Sequence, residues 1–461
     1  MTIESILKQA QHMVEPKLME EKNVLNIAEA VKQRVEDASK RHLIVHSVEI
    51  GGSVAKGTWL ADNVDVDIFV KFDSTISKKR LEDLGVNIGR DALLPNDSFL
   101  RYSEHPYVEG IIDGVTFNIV PCYDVVKGSW KSSADRSPYH TSFMKNRFNK
   151  SLKNETRLLK KFLKVLGLYG AEIKVKGFSG YVCEVLILKY GSFISVLKAM
   201  SDLVGGEILS LDDVDEDITE KFDTQLVILD PVDNRRNLGA AISPVNVTSF
   251  IMASRSFLEK PSIMFFKDIP VSKIMDKVRK STLLNHISIV VLRHEPRTVD
   301  VLWGQLHRSI DGLSKQISKA GFNVLRTSAA SDEDSTSAFI FLLDSLVLPK
   351  SQIKMGPNVN MKGEVSKFLD SNLKWSKLTW AGNDQRIYIM GDRRFLAVEE
   401  LLYSLLDDTA KGSGVAPGLK RALESRIEVI SGKNIAKSTS GRQWLIEALY
   451  RVVITDEFSF S

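Results

Sequence analysis

The chain has 461 residues, of which 43% are apolar and 26% charged, and a formal net charge of +4. So long a chain exceeds one ordinary core and implies roughly two to four domains; the composition is that of a soluble globular protein, and the small net charge neither requires nor excludes a nucleic-acid partner. Two cysteines, Cys122 and Cys183, with no CxxC or His-rich spacing, exclude a disulfide framework and give no sign of zinc.

The amino terminus, MTIESILKQAQHMVEPKLMEE, carries acids early and lacks the apolar run of a signal peptide, and no window reaches the apolar length of a membrane span. A cytoplasmic protein with no membrane partner is expected. Residues 3–40 have helical periodicity, broken at Pro16, where the missing N–H and fixed φ disfavour continuation. From Leu43 the pattern changes to short β-rich runs, LIVHSVEI, VDVDIFVKF and VEGIIDGVTFNIVPCY, so an α/β or α+β domain is expected over residues 1–148. NETRLLKKFLKVLGLYG places Leu158, Leu159, Phe162, Leu163 and Leu166 at helical spacing and opens a mainly helical domain over 149–265. Ten Lys/Arg against Glu155 and Glu172 make the 141–180 segment strongly basic, which suits either a solvated helix face or a polyanion contact. The acidic stretch 209–223 is expected at the surface.

A new cycle fills 266–461. HISIVVLRH reads as a strand, TVDVLWGQLHRSIDGLSKQISKAG as a helix, FNVLRTS as a strand, SAASDEDSTS as a turn and AFIFLLDSLVL as a strand, an order that resembles part of a ferredoxin-like sandwich. KGSGVAPG, residues 411–418, marks a turn before a last helical segment.

The stretch GGSVAKGTWLADNVDVDIFV, residues 51–70, carries the chemistry. In a strand, residues i and i+2 share a face, so Asp65 and Asp67 present two carboxylates side by side while Val64, Val66 and Ile68 face the core. Paired hard oxygen ligands suit Mg²⁺, which keeps several waters and takes further ligands from substrate phosphates. Gly51 and Gly52 permit close backbone approach, and Ser53 offers a hydroxyl at the start of a predicted helix, whose free N–H groups bind phosphate. A mixed sheet that aims both aspartates into a cleft is expected.

With eleven residues between Ser53 and Asp65, the stretch resembles the Gly-Ser…Asp-x-Asp signature of polymerase β-like nucleotidyltransferases. RYSEHPYVEG, VPCYDV, DRSPYHTSFM, NETRLLKKFLKVLGLYGAEIKVKGFSGYVCE and DPVDNRRNLGAA then resemble, in order, blocks of the archaeal-type, class I, CCA-adding tRNA nucleotidyltransferases; PSIMFFK and MGPNV continue the match more weakly. The resemblance implies an α+β multidomain chain: a catalytic head, a helical neck that recognises the base, and a body and tail that grip the acceptor stem of tRNA. It also implies Mg²⁺ as cofactor, CTP and ATP as substrates, pyrophosphate as product, and a homodimer.

Position by position, Gly52 and Ser53 match the phosphate cradle, Lys56 stands where members often have arginine, and Asp65 and Asp67 match the paired metal ligands. His140, Lys160 and Tyr169 match nucleotide-binding positions, and Arg236 matches the arginine that touches the incoming base. Glu104 and His105 sit in a matching block without a clear role. One position departs from the pattern: in VTFNIVPCY, Asn118 replaces a third aspartate of the metal site. An amide oxygen can ligate Mg²⁺ but brings no negative charge and cannot act as a base. Three explanations stay open: an engineered inactive variant, a lineage that works with Asn118 or a nearby acid such as Asp113, or a catalytically impaired RNA-binding homologue. Other template-independent transferases, such as a poly(A) polymerase or an oligoadenylate synthetase, are the alternatives within enzymes.

Overall fold

The computed structural model describes residues 2–62, 64–102, 105–212, 222, 224–407, 414–423, 427–435, 439, 441–454 and 458. Glu104, most of the acidic 209–223 stretch and residues 411–413 lie outside this set. The chain divides into two compact units: among the described residues the first runs to Ile269 and also takes in Phe458, and the second starts at Pro270.

The first unit opens with α1 (Ile3–Val14), capped by the Thr2 hydroxyl, and α2 (Leu18–Ser39), with Pro16 in the break between them. In α2, Val24, Ala28, Val31 and Val35 recur at helical spacing and form the buried face. That face covers a mixed five-stranded sheet. Its first strand, β1 (Val45–Gly51), runs directly into the short helix α3 (Gly52–Lys56). Next come β2 (Asp65–Asp73), α4 (Lys78–Leu93), β3 (Ser98–Tyr102), β4 (Pro106–Ile112) and β5 (Val115–Asp124), in the spatial order β1-β2-β5-β4-β3. β2 and β5 are parallel at the centre and the other pairs are antiparallel. Val66, Ile68, Phe117 and Ile119 are wholly buried in the same core as residues of α2 and α4. By alternation, the opposite face of the sheet carries Asp65, Asp67 and Asn118.

A second core within this unit gathers α5 (Arg136–Lys145), α6 (Lys150–Val165), α7 (Gly180–Tyr190), α8 (Phe193–Ser201), a small sheet and α9 (Pro244–Glu259). The small sheet is β6 (Glu207–Leu209), β7 (Leu226–Asp230) and β8 (Asp233–Asn237), in that order. Helix α1 buries Ile6, Ala10 and Val14 in this core. Phe162 lies at its centre, with the rings of Phe193, Phe257 and Phe265 at 5.4, 5.8 and 5.4 Å. α6 stops at Val165, short of the end of the predicted periodic run, because Gly167 takes φ 71°, a left-handed turn that ends a helix. No single helix among the described residues is long and apolar enough to cross a membrane; the apolar pair α7 and α8 is bent by 93° and largely buried.

The second unit begins with α10 (Val271–Lys280), β9 (Ile287–Arg293), α11 (Val299–Lys319), β10 (Val324–Ser331) and β11 (Thr336–Leu343). After an inserted three-stranded sheet come α13 (Val398–Leu406), β15 (Glu428–Ser431) and α14 (Gln443–Val453). The main sheet runs β10-β11-β9-β15, all antiparallel, which is the strand order of a ferredoxin-like sandwich. Two readings need correction here. SAASDEDSTS is not all turn: Ser328–Ser331 extend β10 because β11 supplies the ladder, with Ala329 opposite Phe339 and Ser331 opposite Ser337. The turn shrinks to 332–335, where the Asp332 side chain accepts from the amides of Asp334, Ser335 and Thr336. The insertion, β12 (Ser351–Asn358), α12 (Lys362–Asn372), β13 (Ser376–Ala381) and β14 (Arg386–Asp392), leaves little strand pattern in the sequence because β12 carries Gly356 and Pro357 and leaves Ile353 and Met355 exposed, so its alternation is masked.

Candidate active site

The site starts from register. β2 lies between β1 and β5, with Gly51 opposite Asp67 on one side and Asn118 opposite Asp67 on the other. The chain then turns at Gly52 with φ 64°, and a Cβ added there would fall 2.0 Å from Asp67 Oδ2. Position 52 is therefore glycine for two reasons at once, the left-handed backbone and the carboxylate pressed against it. On the other flank the Asn118 amide donates to Asp67 Oδ1 at 3.0 Å, while its own Oδ1 is buried without a partner. Burial pushes the Asp67 carboxyl above its usual range, partly offset by the Asn118 hydrogen bond.

This donor set fits a hard divalent cation. Asp65 and Asp67 supply anionic oxygen, and Asn118 Oδ1 is a buried acceptor still in need of a donor or a cation. Among the described residues no group of three His, Cys, Asp or Glu is arranged to hold a metal, so the third oxygen here is an amide. Asp113 does not replace it. With Gly114 it forms the exposed tip of the β4–β5 hairpin, both residues at positive φ, about 16 Å along the strand from Asn118. The acid that register sets beside Asn118 is Glu109, which Arg101 holds through Nε at 3.0 Å and Nη2 at 2.6 Å.

Asp67 opens into a cleft of about 400 Å³, lined also by His105, Tyr107, His140, Tyr181 and Arg236. The polar side of this cleft converges on Asp230 at the end of β7, which accepts from His140 Nε2 at 2.8 Å and Arg236 Nη1 at 3.2 Å. Burial pushes the Asp230 carboxyl up, but the His140 hydrogen bond and Arg236 outweigh it and hold it below the usual carboxylate range. His140 is pushed down by burial and stacks on Tyr181 at 3.9 Å. His105 binds Glu82 through Nδ1 at 3.0 Å and leaves Nε2 buried and unpartnered.

Lys56 and Lys160 sit together behind the cradle. The wholly buried Glu184 of α7 takes Lys56 Nζ at 2.5 Å, Lys160 Nζ at 3.2 Å and the Thr58 hydroxyl at 2.6 Å. Burial pushes the Glu184 carboxyl up, and the two ammonium groups reverse that and keep it ionised. Tyr169, partly buried, places its hydroxyl against Gly180, where an added Cβ would lie 2.9 Å away.

Three family profiles match this chain: a nucleotidyltransferase domain over 26–148, a tRNA nucleotidyltransferase second domain over 154–267, and a CCA-adding enzyme C-terminal domain over 285–432. The CCA-adding enzyme of Methanocaldococcus jannaschii is 38% identical over 380 residues, covering 80% of this chain and 84% of the relative. That of Methanopyrus kandleri is 31% identical over 489 aligned positions, covering 100% of this chain and 99% of the relative. The chain belongs to the CCA-adding enzyme family.

Of the residues singled out in the sequence, Asp67, His140 and Arg236 line one cleft, Gly52 and Asn118 lie against Asp67, Asp65 and Ser53 are not part of the cleft lining, and Lys56 and Lys160 meet on Glu184. Lys160 is 1% exposed and its ammonium is already bonded to Thr58 and Glu184, so it does not line the cleft. The basic 141–180 segment also needs correction as a surface. Arg157, Lys160 and Lys161 are buried, with Arg157 on the Trp59 carbonyl and Lys161 between Asp62 and Asp268. Glu184 and Asp230 are site residues that no motif in the sequence singles out. For Glu184 a signal existed: one acid inside the apolar run YVCEVLIL has to be buried with partners.

Two substitutions test this geometry. Gly52→Ala forces Asp67 aside, and displacement of that order typically lowers turnover by about 10²-fold; single-turnover nucleotide incorporation measures it. Glu184→Ala leaves two buried ammonium groups without a counter-charge and is expected to destabilise the first unit by about 3–5 kcal/mol, read by equilibrium urea unfolding.

Proposed function

We propose that this chain adds C, C and A to the 3′ end of tRNA from CTP and ATP without a nucleic-acid template, releasing pyrophosphate. The observation that carries the reading is the single cleft in which Asp67 faces His140 and Arg236, in a chain of this family. In each addition the terminal 3′-hydroxyl oxygen bonds to the α-phosphorus, its proton is lost, and the bond from the α-phosphorus to the β-bridging oxygen breaks. Asp65, Asp67 and Asn118 Oδ1 are the oxygen atoms that would hold Mg²⁺, which when bound supplies positive charge to the attacking and leaving oxygens. Gly52 and Ser53 bring backbone and hydroxyl donors to the triphosphate, and His140 borders it. The Lys56, Lys160 and Glu184 cluster leaves one net positive charge behind them. Arg236 donates to the ring nitrogen that C and A present unprotonated beside an exocyclic amine; U and G carry N–H there and would set donor against donor.

In this reading residues 1–148 form the catalytic head, 149–265 the neck that reads the base and 266–461 the body and tail that hold the acceptor stem, in a cytoplasmic homodimer. The family profiles and the resemblance of the sequence blocks support it. Two measurements test it. Affinity for tRNA lacking its terminus is expected to fall at least about tenfold between roughly 50 and 200 mM salt, since each phosphate contact releases counterions. Exposed Lys145, Arg147, Lys150, Lys174 and Lys176 are the candidates in the basic segment. Asn118→Asp replaces a hydrogen bond to Asp67 by a third carboxylate. The variant is expected to melt at lower temperature without divalent ions, to gain more from added Mg²⁺ than the parent does, and to incorporate nucleotide faster. Thermal melts with and without Mg²⁺, beside CTP incorporation on truncated tRNA, check all three.

A further inference from the structure

We propose that Asp230 is the positioning residue that fixes Arg236, and through it the choice of incoming base. The inference rests on the reading above, in which Arg236 meets the base. Asp230 is wholly buried and touches no part of the cleft's open volume, so it is not itself a group that reacts or binds substrate.

Its four contacts occupy the carboxylate's capacity. Oδ2 accepts from His140 Nε2 at 2.8 Å and from Arg236 Nη1 at 3.2 Å; Oδ1 accepts from the Val232 amide at 3.0 Å and the Tyr181 hydroxyl at 3.4 Å. A carboxylate offers about four lone-pair sites, so nothing is left over for a nucleotide. Arg236, by contrast, is 41% exposed in its side chain and lines the cleft. A guanidinium carries five N–H donors in a rigid plane. Asp230 holds the plane at Nη1, and the remaining donors stay available to a ligand.

The strand geometry makes this hold specific. Asp230 ends β7, Arg236 lies on the antiparallel β8, and the two are only six positions apart in the chain, so the short β7–β8 connection sets their distance. His140 reaches the same oxygen from α5. A base is read correctly only if its edge meets donors at a set angle, and an arginine free to swing donates as well to the O4 of uracil as to the N3 of cytosine. Holding one end of the guanidinium before the nucleotide arrives removes that freedom. Selectivity then depends on a carboxylate the nucleotide never touches.

The test is single-turnover incorporation on tRNA lacking its last three nucleotides, with CTP and UTP supplied separately, for full-length Asp230→Asn, Arg236→Ala, the double variant and Arg236→Lys. Asparagine keeps the shape but turns an N–H₂ toward donors, so Asp230→Asn is expected to lower the CTP-to-UTP ratio of kcat/KM by about ten- to a hundredfold, the size of one charged hydrogen bond. Arg236→Ala should lower it similarly, and the double variant should lower it no further. A Asp230→Asn protein that slows CTP and UTP by one common factor, with the ratio intact beside a defective Arg236→Ala, overturns the positioning role. So does a double variant whose loss is the product of the two single losses. If Arg236→Ala itself discriminates as the parent does, the base-contact reading fails first and the positioning role with it. Should Asp230→Asn not fold, Arg236→Lys decides: it keeps a charge for Asp230 but has no fork, so it should lose the ratio, and retention of the ratio overturns the proposal.

Discussion

The first unit is organised by a charge that has no access to water. Glu184 lies in the middle of an apolar helix, and an ionised carboxylate there is tolerable only if the neighbouring elements deliver cations and donors to it. Lys56 comes from the end of α3, Thr58 from the residues just after it, and Lys160 from α6. One carboxylate therefore ties the glycine turn after β1 to α6 and α7. Asp230 repeats the arrangement at the other side of the cleft, joining His140 of α5 to Arg236 of β8. Apolar packing gives each core its stability, but it is non-directional. The buried ion pairs set how the glycine turn and Arg236 face one another.

Between those anchors the chemistry is placed by strand pairing. Because β2 is flanked by β1 and β5, Asp67 has Gly51 on one side and Asn118 on the other, and the turn at Gly52 closes over its carboxylate. Such a site tolerates little change in volume. It has also lost one negative charge relative to a three-aspartate site, and the amide at 118 offsets part of that by donating to Asp67. The same contact that settles Asp67 leaves Asn118 Oδ1 as a buried acceptor with no donor.

The second unit uses a different economy. Its main sheet is antiparallel, buries nearly all of β9 and β11, and carries helices in the ferredoxin-like order. The inserted sheet has a wetter character: Ile353, Met355 and Leu378 are exposed and the strand β12 contains glycine and proline. Its pairing is held by the β12–β14–β13 ladder, with Trp380 stacked on Tyr388 at 5.5 Å across strands.

What was legible in the sequence was whatever depends on local pattern. Helix α2 follows from the recurrence of Val24, Ala28, Val31 and Val35; the break before it follows from Pro16; the shared face of Asp65 and Asp67 follows from a period of two; and the family follows from blocks in order. What only the tertiary structure decided depends on partners far apart in the chain. Lys160 and Lys161 read as part of a basic surface, yet each is buried because Glu184, Asp62 or Asp268 arrives from elsewhere to meet it. Asp113 reads as a spare acid near Asn118, yet the hairpin turns it away while register brings Glu109 alongside. Ser328–Ser331 reads as turn until β11 supplies its hydrogen bonds. Periodicity reports which face of an element is apolar; it carries no information about which distant charge will neutralise a lysine, and burial of a charge is decided by that neighbour.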